Sequence, residues 1–192
     1  METSLTWIGR LTGSPTDADW RQLLDVYGPL LRGWLTRTGV AAADHDDLCQ
    51  EVLMVVVARV YDFDHRGPGA FRGWLRGILA NRVGDYLRRE RGRAAAGGGS
   101  DAHERLEALA DPDSHLSRLW DREHDAHLTA RAMTRVRPDF TEATWEAFLG
   151  QARDGRPARD VAAELGLTVN AVLVAKSRVL RRLREDLAGL VG

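Results

Sequence analysis

The sequence has one cysteine, one lysine and no long apolar run. Cys49 is the only cysteine among 192 residues, so neither an internal disulfide nor a cysteine-based zinc site can form within the chain. Of the 27 basic residues, only Lys176 is a lysine. No stretch approaches the roughly 18 uninterrupted apolar residues of a membrane helix, and residues 1–10 lack the apolar core of a signal peptide. These absences predict a cytoplasmic protein without a membrane segment.

The net charge is −1, which taken alone argues against a nucleic-acid-binding protein. The charge is segregated along the chain, however. Residues 66–93 and 170–184 are rich in arginine, whereas residues 41–64 and 99–127 are acidic. Two basic segments could therefore face phosphate while the acidic segments face elsewhere. The alternative is that these segments are ordinary solvated helix faces.

Helical periodicity dominates the sequence, and it predicts an all-α fold. Apolar residues recur at three- and four-residue steps, and no segment reads convincingly as a strand. Asp17 or Asp19 could cap the first helix, and Gly39 lies just past its end. The predicted helices cover about 20–38, 44–61, 70–91, 114–136, 141–153, 157–165 and 168–187.

Residues 91–100 read Arg-Gly-Arg-Ala-Ala-Ala-Gly-Gly-Gly-Ser, a composition typical of a flexible linker. The acidic stretch that follows extends it, with room for a short helix near Glu104–Ala110. We therefore predict two small helical domains, residues 1–92 and 114–192, joined by a flexible linker over residues 93–113.

Residues 158–177 fit a helix-turn-helix motif. The small side chain of Ala162 lets two helices cross closely, and Gly166 supplies a turn position where a positive φ is inexpensive. Arg178 and Arg181 follow on the second helix, from which they could reach phosphates or base edges in a major groove. The alternative is a short helical hairpin within an unrelated bundle.

The segment Asp47-Leu48-Cys49-Gln50-Glu51-Val52 lies on a predicted helix whose later run, Val52–Ala58, is apolar nearly all round. A helix of this kind is buried or has a partner on its outer side, and its acidic face favours a basic partner. Acids at a helix N-terminus also complement the helix dipole. That simpler explanation accounts for Asp46 and Asp47 but not for Glu51 or Met54.

The whole chain resembles the extracytoplasmic-function (ECF) group of the sigma-70 family, in a version like those of planctomycetes. The resemblance covers about Trp20–Arg93 and Leu128–Leu187. It is carried by the Asp47–Val52 segment, by Phe71-Arg72-Gly73-Trp74-Leu75 with Ile78-Leu79-Ala80-Asn81, and by the helix-turn-helix. It implies a sigma factor that performs no chemistry itself and directs RNA polymerase core to specific promoters. Residues 1–92 would be sigma region two, which binds polymerase and recognises and melts the −10 element. Residues 114–192 would be sigma region four, which binds the −35 element.

The resemblance also implies which residues form the sites. In the family, the helix containing the Asp47–Val52 segment docks on the clamp helices of the largest polymerase subunit, and the second domain meets the flap of the second-largest subunit. The polymerase contacts predicted here are Asp47, Gln50, Glu51 and Met54.

The family's next helix holds an unstacked base of the −10 element. That task requires basic residues for the backbone and a polar pocket for the base. Asn81 matches an asparagine near that site, whereas Phe71 and Trp74 have the periodicity of core residues. The predicted −10 contacts are His65, Arg66, Arg72, Arg76, Asn81, Arg82, Arg88 and Arg89.

The last helix resembles the family's −35 reader, with one departure. Many members have Lys-Ser-Arg where this chain has Leu173-Val174-Ala175. These apolar side chains could touch thymine methyl groups or bind a protein. The predicted −35 contacts are Thr168, Asn170, Ala171, Leu173, Val174, Ser177, Arg178 and Arg181.

The expected partners are polymerase core and promoter DNA, and the family also allows an anti-sigma factor. No cofactor or metal is expected, and the free protein is expected to be monomeric. One alternative is a helix-turn-helix regulator that works without polymerase. Another is a metal-dependent phosphohydrolase, since His45-Asp46 and His124-Asp125 resemble its His-Asp pairs and His115, His124 and His127 could share a helix face.

Overall fold

The computed structural model describes residues 7–64, 69–93 and 100–187. Within these ranges the ordered elements are all helices, which confirms the predicted all-α class. No helix in the described ranges has the length and apolar character needed to cross a membrane. The α-helices are α1 Trp7–Thr12, α2 Asp17–Arg37, α3 His45–Arg59, α4 Ala70–Arg93, α5 Ser100–Ala110, α6 His115–Val136, α7 Glu142–Phe148, α8 Ala158–Leu165 and α9 Val169–Leu187.

Helix α2 begins with a reciprocal cap. Thr16, rather than Asp17 or Asp19, is the N-cap, and its hydroxyl accepts a hydrogen bond from the Asp19 N–H at 3.3 Å. The Thr16 N–H in turn donates to the Asp19 carboxylate at 3.0 Å. Two otherwise unpaired backbone donors are thereby satisfied. The backbone and hydroxyl hydrogen bonds that Thr16 donates to the Asp19 carboxylate lower the pKa of Asp19. At the other end, Gly39 lies beyond the helix with a φ of 82°, a value that glycine adopts readily.

Helices α2, α3 and α4 share one core. Helix α3 packs on α2 and on α4, and apolar residues spaced three or four apart on each helix meet between them. Their side chains are almost completely removed from water, so burial of apolar surface stabilises this arrangement. The most deeply buried include Tyr27, Leu31, Trp34, Leu35, Val52, Val56, Phe71, Leu75 and Leu79.

Residues assigned from sequence to the flexible linker include a helix of the first unit. Helix α5 packs on α4, and Leu109 is fully buried. The approach is close because Gly84 lacks a side chain: a Cβ at that position would lie 2.9 Å from Leu106 Cδ2. Helix α5 includes the short helix expected near Glu104–Ala110, but its packing makes this part of the predicted linker, residues 93–113, a portion of the first unit. Residues 94–99 lie outside the described ranges.

The chain divides into two compact units at Leu128–Thr129, inside helix α6. The sequence placed the second domain from residue 114. The difference arises because Ser117, Trp120 and His124 on the first half of α6 are buried in the first unit.

The second unit begins with the last turns of α6 and includes α7, α8 and α9. Thr141 caps α7, accepting a hydrogen bond from the Thr144 N–H at 3.4 Å. The Phe140 ring stacks on the Trp145 ring with centroids 6.5 Å apart, which confirms the hydrophobic staple expected at this helix start. The core of this unit consists of Ala132, Val136, Trp145, Phe148, Val179 and Leu183, with a second cluster of Ala147, Val161, Ala162, Val172 and Ala175.

Candidate functional site

An apolar groove of about 660 Å³ lies between α2 and α3. Met54 is 62% exposed and Leu24 is 49% exposed, and both line the groove. Helix α3 buries Leu48, Val52 and Val56 on one side. The adjacent side, which includes Met54 and Val57, is also apolar but is exposed. Exposed apolar surface of this kind marks a place where a partner binds. The groove residues are Leu24, Gly28, Arg32, Asp46, Cys49, Gln50, Leu53, Met54, Val57 and Ala58.

One end of this groove is charged. The Arg32 Nε–H donates to the Asp46 carboxylate at 2.8 Å, and both side chains are well exposed. Cys49 is a buried part of the wall, and burial raises the pKa of its thiol, which keeps it neutral. The groove therefore offers an apolar floor with an exposed ion pair beside it.

The four predicted polymerase contacts lie on two adjacent faces of α3. Gln50 and Met54 line the apolar groove. Asp47 and Glu51 instead line a smaller polar cleft that α3 forms with α4. In that cleft, Glu51 Oε2 lies 3.6 Å from an Arg89 guanidinium nitrogen. The sequence did not predict that Leu24 and Val57 extend the groove. Leu24 belongs to the apolar stripe of α2, and nothing in its spacing separates an exposed position from a buried one.

Arg72 and Arg76, predicted to contact −10 DNA, are held inside the first unit. Arg72 Nη1 donates to Asp125 Oδ2 at 2.6 Å, and its Nε lies 3.2 Å from Asp121 Oδ1. Arg76 Nη1 donates to the same Asp121 oxygen at 3.4 Å. The Arg72 side chain is only 18% exposed and that of Arg76 only 10%. In this conformation the carboxylates of α6 neutralise both guanidinium groups.

Two further side chains, Trp120 and His127, fasten α6 to the first unit. The indole ring of Trp120 meets the Trp34 ring edge to face with centroids 5.2 Å apart, and its Nε1–H donates to the Arg72 carbonyl oxygen at 3.1 Å. The His127 Nε2–H donates to the Val26 carbonyl oxygen at 2.7 Å. We name Trp120, Asp121, His124, Asp125 and His127 the α6 anchor. This anchor could not be predicted from sequence, because an acidic helix with scattered aromatic residues also fits a solvated face.

His124 is the most enclosed member of the α6 anchor. Its Nδ1 lies 3.0 Å from the Asp125 carboxylate, which can only accept, so the proton is on Nδ1. The neutral ring's Nε2 then accepts from the Tyr27 hydroxyl at 3.4 Å. Burial lowers the pKa of His124, while the Asp125 hydrogen bond opposes that shift.

These contacts also bear on the metal-enzyme alternative. The buried His124 side chain and that of His127 are both engaged in hydrogen bonds to α2. In the parts of the chain that the structure covers, no three or more His, Cys, Asp or Glu side chains are grouped so that they could hold a metal ion.

The remaining predicted −10 residues form a separate polar surface on α4. Asn81, Arg88 and Arg89 are exposed, and Arg82 is half-buried. Asp85 lies between two arginines of this surface, 2.5 Å from Arg88 and 3.5 Å from Arg82. His65 and Arg66 lie outside the described residues. As expected, Phe71 is a core residue, whereas Trp74 is half-buried beside it, with ring centroids 5.5 Å apart.

The second unit contains the predicted helix-turn-helix, formed by α8 and α9. Gly166 ends α8 in the left-handed conformation with a φ of 64°, and the Leu167 N–H donates to the Ala162 carbonyl oxygen at 2.9 Å. Thr168 caps α9, its hydroxyl accepting from the Ala171 N–H at 3.1 Å. Gly150 lets α8 approach, because a Cβ there would lie 3.0 Å from Val161.

The predicted −35 residues lie on the outer side of α9. Val172, Ala175, Val179 and Leu183 form its buried side. All the predicted contacts except the half-buried Ala171 are exposed, and they include Leu173 at 49% and Val174 at 45%.

The basic residues of α9 differ in their ion pairs. The Arg182 side chain is paired with Asp139 at 3.0 Å and lies 3.8 Å from Asp186. Arg178 and Arg181 are exposed and have no carboxylate partner among the described residues. Two guanidinium groups on this side of α9 are therefore available to an anionic ligand.

The chain is similar in sequence to proteins of known family. Residues 23–93, which contain α2 to α4, match the sigma-70 region 2 family. The ECF RNA polymerase sigma factors SigD of Mycobacterium tuberculosis and Mycobacterium bovis are each 29% identical over 155 residues, covering 81% of this chain and 67% of each relative. The ECF RNA polymerase sigma factor RpoE of Cereibacter sphaeroides is 26% identical over 178 residues, covering 90% of this chain and 88% of that protein.

The match to RpoE spans more residues than the first unit contains, so the likeness extends into the helix-turn-helix unit. Residues 23–93 are thus a sigma-70 region 2, and the relatives that match most of the chain are sigma factors of the extracytoplasmic-function group. This confirms the family predicted from sequence.

Proposed function

We propose that this chain is a sigma factor that binds RNA polymerase core and directs it to specific promoters. The observation that carries this proposal is the combination of two surfaces in the region 2 match: an apolar groove between α2 and α3, and an exposed polar surface on α4. A helix-turn-helix in the second unit supplies a second DNA-binding element. Polymerase makes and breaks the bonds, and the chain performs no catalysis.

The groove is the proposed docking surface for the clamp helices of the largest polymerase subunit. Helices bind grooves of this kind by inserting apolar side chains at three- and four-residue spacing. Met54 and Leu24 offer exposed apolar contacts, and Gln50 and Asp46 offer polar ones at the rim. Asp47 and Glu51 extend the surface with negative charge, which favours a basic partner helix.

The exposed surface of α4 is the proposed site for melted −10 DNA. Asn81 can donate to and accept from a base edge, while Arg88 and Arg89 can reach the backbone and Arg82 lies beside them. His65 and Arg66 stay in the proposal on sequence grounds. Arg72 and Arg76 enter it as framework residues, because their guanidinium groups are paired with Asp121 and Asp125.

The outer side of α9 is the proposed −35 surface, with Arg178 and Arg181 on phosphates and the other predicted residues facing bases. The family resemblance supports three finer proposals: contact between the second unit and the flap of the second-largest subunit, control by an anti-sigma factor, and a cytoplasmic location. The free chain is proposed to be monomeric.

The direct test is reconstituted transcription with purified core polymerase on a library of promoter sequences. The chain should enable initiation from a subset of templates that share two elements, near −10 and near −35. A regulator that works without polymerase would instead bind duplex DNA alone and give no transcripts with core polymerase.

Replacement of Met54 by glutamate tests the docking groove. A charge buried against a polymerase helix should cost about 2 kcal/mol, so core affinity should fall roughly 30-fold in a fluorescence binding titration. Tyr61 provides a matched control, since it is 55% exposed and does not line the groove. We expect Tyr61→Glu to bind core within twofold of the unchanged chain. Equal losses for the two variants would rule out the groove as the docking site.

A further inference from the structure

One exposed face of α9 combines apolar residues near its start with polar and basic residues further along. Asn170, Leu173, Val174, Ser177 and Arg181 follow the spacing i, i+3, i+4, i+7 and i+11, so they share one side of the helix. All five are exposed, and they lie opposite the buried side of α9. We name these five residues the reading face.

The first two turns of the reading face contain no basic side chain. Lys176, the first basic residue of α9, is half-buried and lies off the reading face, and the next is Arg178. In a helix-turn-helix, the N-terminal residues of the second helix contact base edges in the major groove. Guanine is most often read by arginine or lysine, and neither is placed to do so at this end of α9.

Leu173 and Val174 occupy the position where base contact is expected. Together they present a large apolar surface to solvent. The apolar group that the major groove offers is the 5-methyl of thymine. Asn170 precedes them on the same face, and an asparagine amide pairs with the N6 and N7 atoms of adenine. Both features favour A·T pairs.

The charge around this face fits DNA rather than a protein helix. Arg178 and Arg181 lie further along α9 and have no carboxylate partner among the described residues. Cations beside an apolar strip complement a groove whose walls are phosphates and whose floor carries methyl groups.

From this arrangement we propose that Leu173 and Val174 read thymine methyl groups and so give the −35 site an A·T-rich preference. The inference rests on the proposed function and adds the base class that the helix selects. Because methyl contacts are uncharged, they should affect affinity without changing its dependence on salt.

Replacing thymine by deoxyuridine removes the 5-methyl group and leaves the hydrogen-bonding groups of the base intact, so it isolates the proposed contact. Holoenzyme made with the full chain is titrated with a promoter recovered from the library, in which each −35 thymine is replaced in turn. At one or two positions affinity should fall about fourfold, as expected for one buried apolar carbon. Thymines in the spacer between the two elements serve as the control and should tolerate the same replacement.

Leu173→Ala provides the second arm. On the unmodified promoter, holoenzyme with this variant should bind about fourfold more weakly, with an unchanged salt slope. On the deoxyuridine promoter, the variant should bind as tightly as the unchanged chain does. Since Leu173 is exposed, its loss should leave the thermal unfolding of the chain unaltered.

Two results would overturn the inference. One is that deoxyuridine leaves promoter affinity unchanged at every −35 position. The other is that Leu173→Ala reduces affinity by the same factor on the unmodified and the deoxyuridine promoters. Either would leave the apolar strip free for a protein partner. In both cases transcription from the library promoter would still support the sigma function, so the two proposals can fail separately.

Discussion

The arginines of α4 and those of α9 come from sequence segments of similar positive charge, but they contact different groups. On α4, Arg72 and Arg76 are paired with carboxylates of α6, and Arg88 with Asp85. On α9, by contrast, Arg178 and Arg181 extend into solvent without a carboxylate partner among the described residues.

The comparison shows why a charge count along the sequence does not locate a DNA-binding surface. A basic residue can neutralise an acidic segment of its own chain, and the charge is then lost to an outside ligand. The acidic segment 99–127 has this role in part, since Asp121 and Asp125 face α4. Arg72 and Arg76 of α4 therefore help to hold the first unit together, while Arg178 and Arg181 of α9 remain available.

The largest expected effect comes from removing the aromatic centre of the α6 anchor. Trp120 is fully buried against Trp34, so Trp120→Ala should lower the free energy of unfolding of the first unit by about 4 kcal/mol. Urea denaturation followed by circular dichroism measures the loss. Arg122→Ala, an exposed change on the same helix, is the control and should stay within about 0.5 kcal/mol. Equal stability of both variants would show that α6 is not held by these contacts.

Arg72→Ala and Arg181→Ala should have opposite consequences. Loss of Arg72 leaves the partly buried Asp125 carboxylate without its arginine and leaves Asp121 with Arg76 alone. This should cost about 2 kcal/mol of stability given the partial exposure of both carboxylates. Loss of Arg181 should leave stability within about 0.5 kcal/mol, but it should reduce the log–log salt slope of promoter binding by about 0.9.

The salt slope of Arg72→Ala holoenzyme decides the role of Arg72. An unchanged slope is expected for a framework residue. A slope reduced as much as that of Arg181→Ala would return Arg72 to the DNA contacts and remove the contrast between the two helices.

The smallest expected effect concerns pH. Burial against Trp120 and Tyr27 lowers the pKa of His124, and the Arg72 cation lowers it further, while the Asp125 and Asp121 carboxylates oppose the shift. The folded chain therefore binds fewer protons at this site than the unfolded chain, whose imidazole titrates near 6.5. The contribution of His124 to stability is present above about pH 6.5 and is lost as the pH falls towards the lowered value.

His124→Gln removes this titration while retaining a hydrogen-bonding side chain. Between about pH 7 and pH 5, the unfolding free energy of the unchanged chain should fall more steeply than that of the variant, by at most about 1.4 kcal/mol per pH unit. Parallel curves would show that His124 is protonated equally in both states.

The local features of the fold could be predicted from sequence, whereas the contacts between distant segments could not. The caps at Thr141 and Thr168 and the turn at Gly166 follow from residue types, and the structure has all three. The pairing of Arg72 with Asp125 joins residues 53 apart in sequence, and many other acids could have served as partner.

Which side chains of the candidate site are exposed could be predicted only where helical spacing clearly separates an apolar side of the helix from a polar one. On α9 the buried stripe leaves the predicted −35 residues outside, as expected. On α2, Leu24 belongs to the same apolar stripe as Leu23, yet one is exposed and the other buried. That distinction depends on where α3 packs, which periodicity within α2 does not reveal.

The α6 anchor also determines where the first unit can be cut for separate study. A recombinant fragment ending at residue 92, as the sequence suggested, would lack Trp120 and His124, and the Trp34 ring and Tyr27 hydroxyl that they contact would face water. Such a fragment would expose aromatic surface that is normally buried, and we expect it to aggregate. A fragment that extends to Leu128 retains these contacts. Among fragments shorter than the full chain, it is the one suited to spectroscopy or crystallisation.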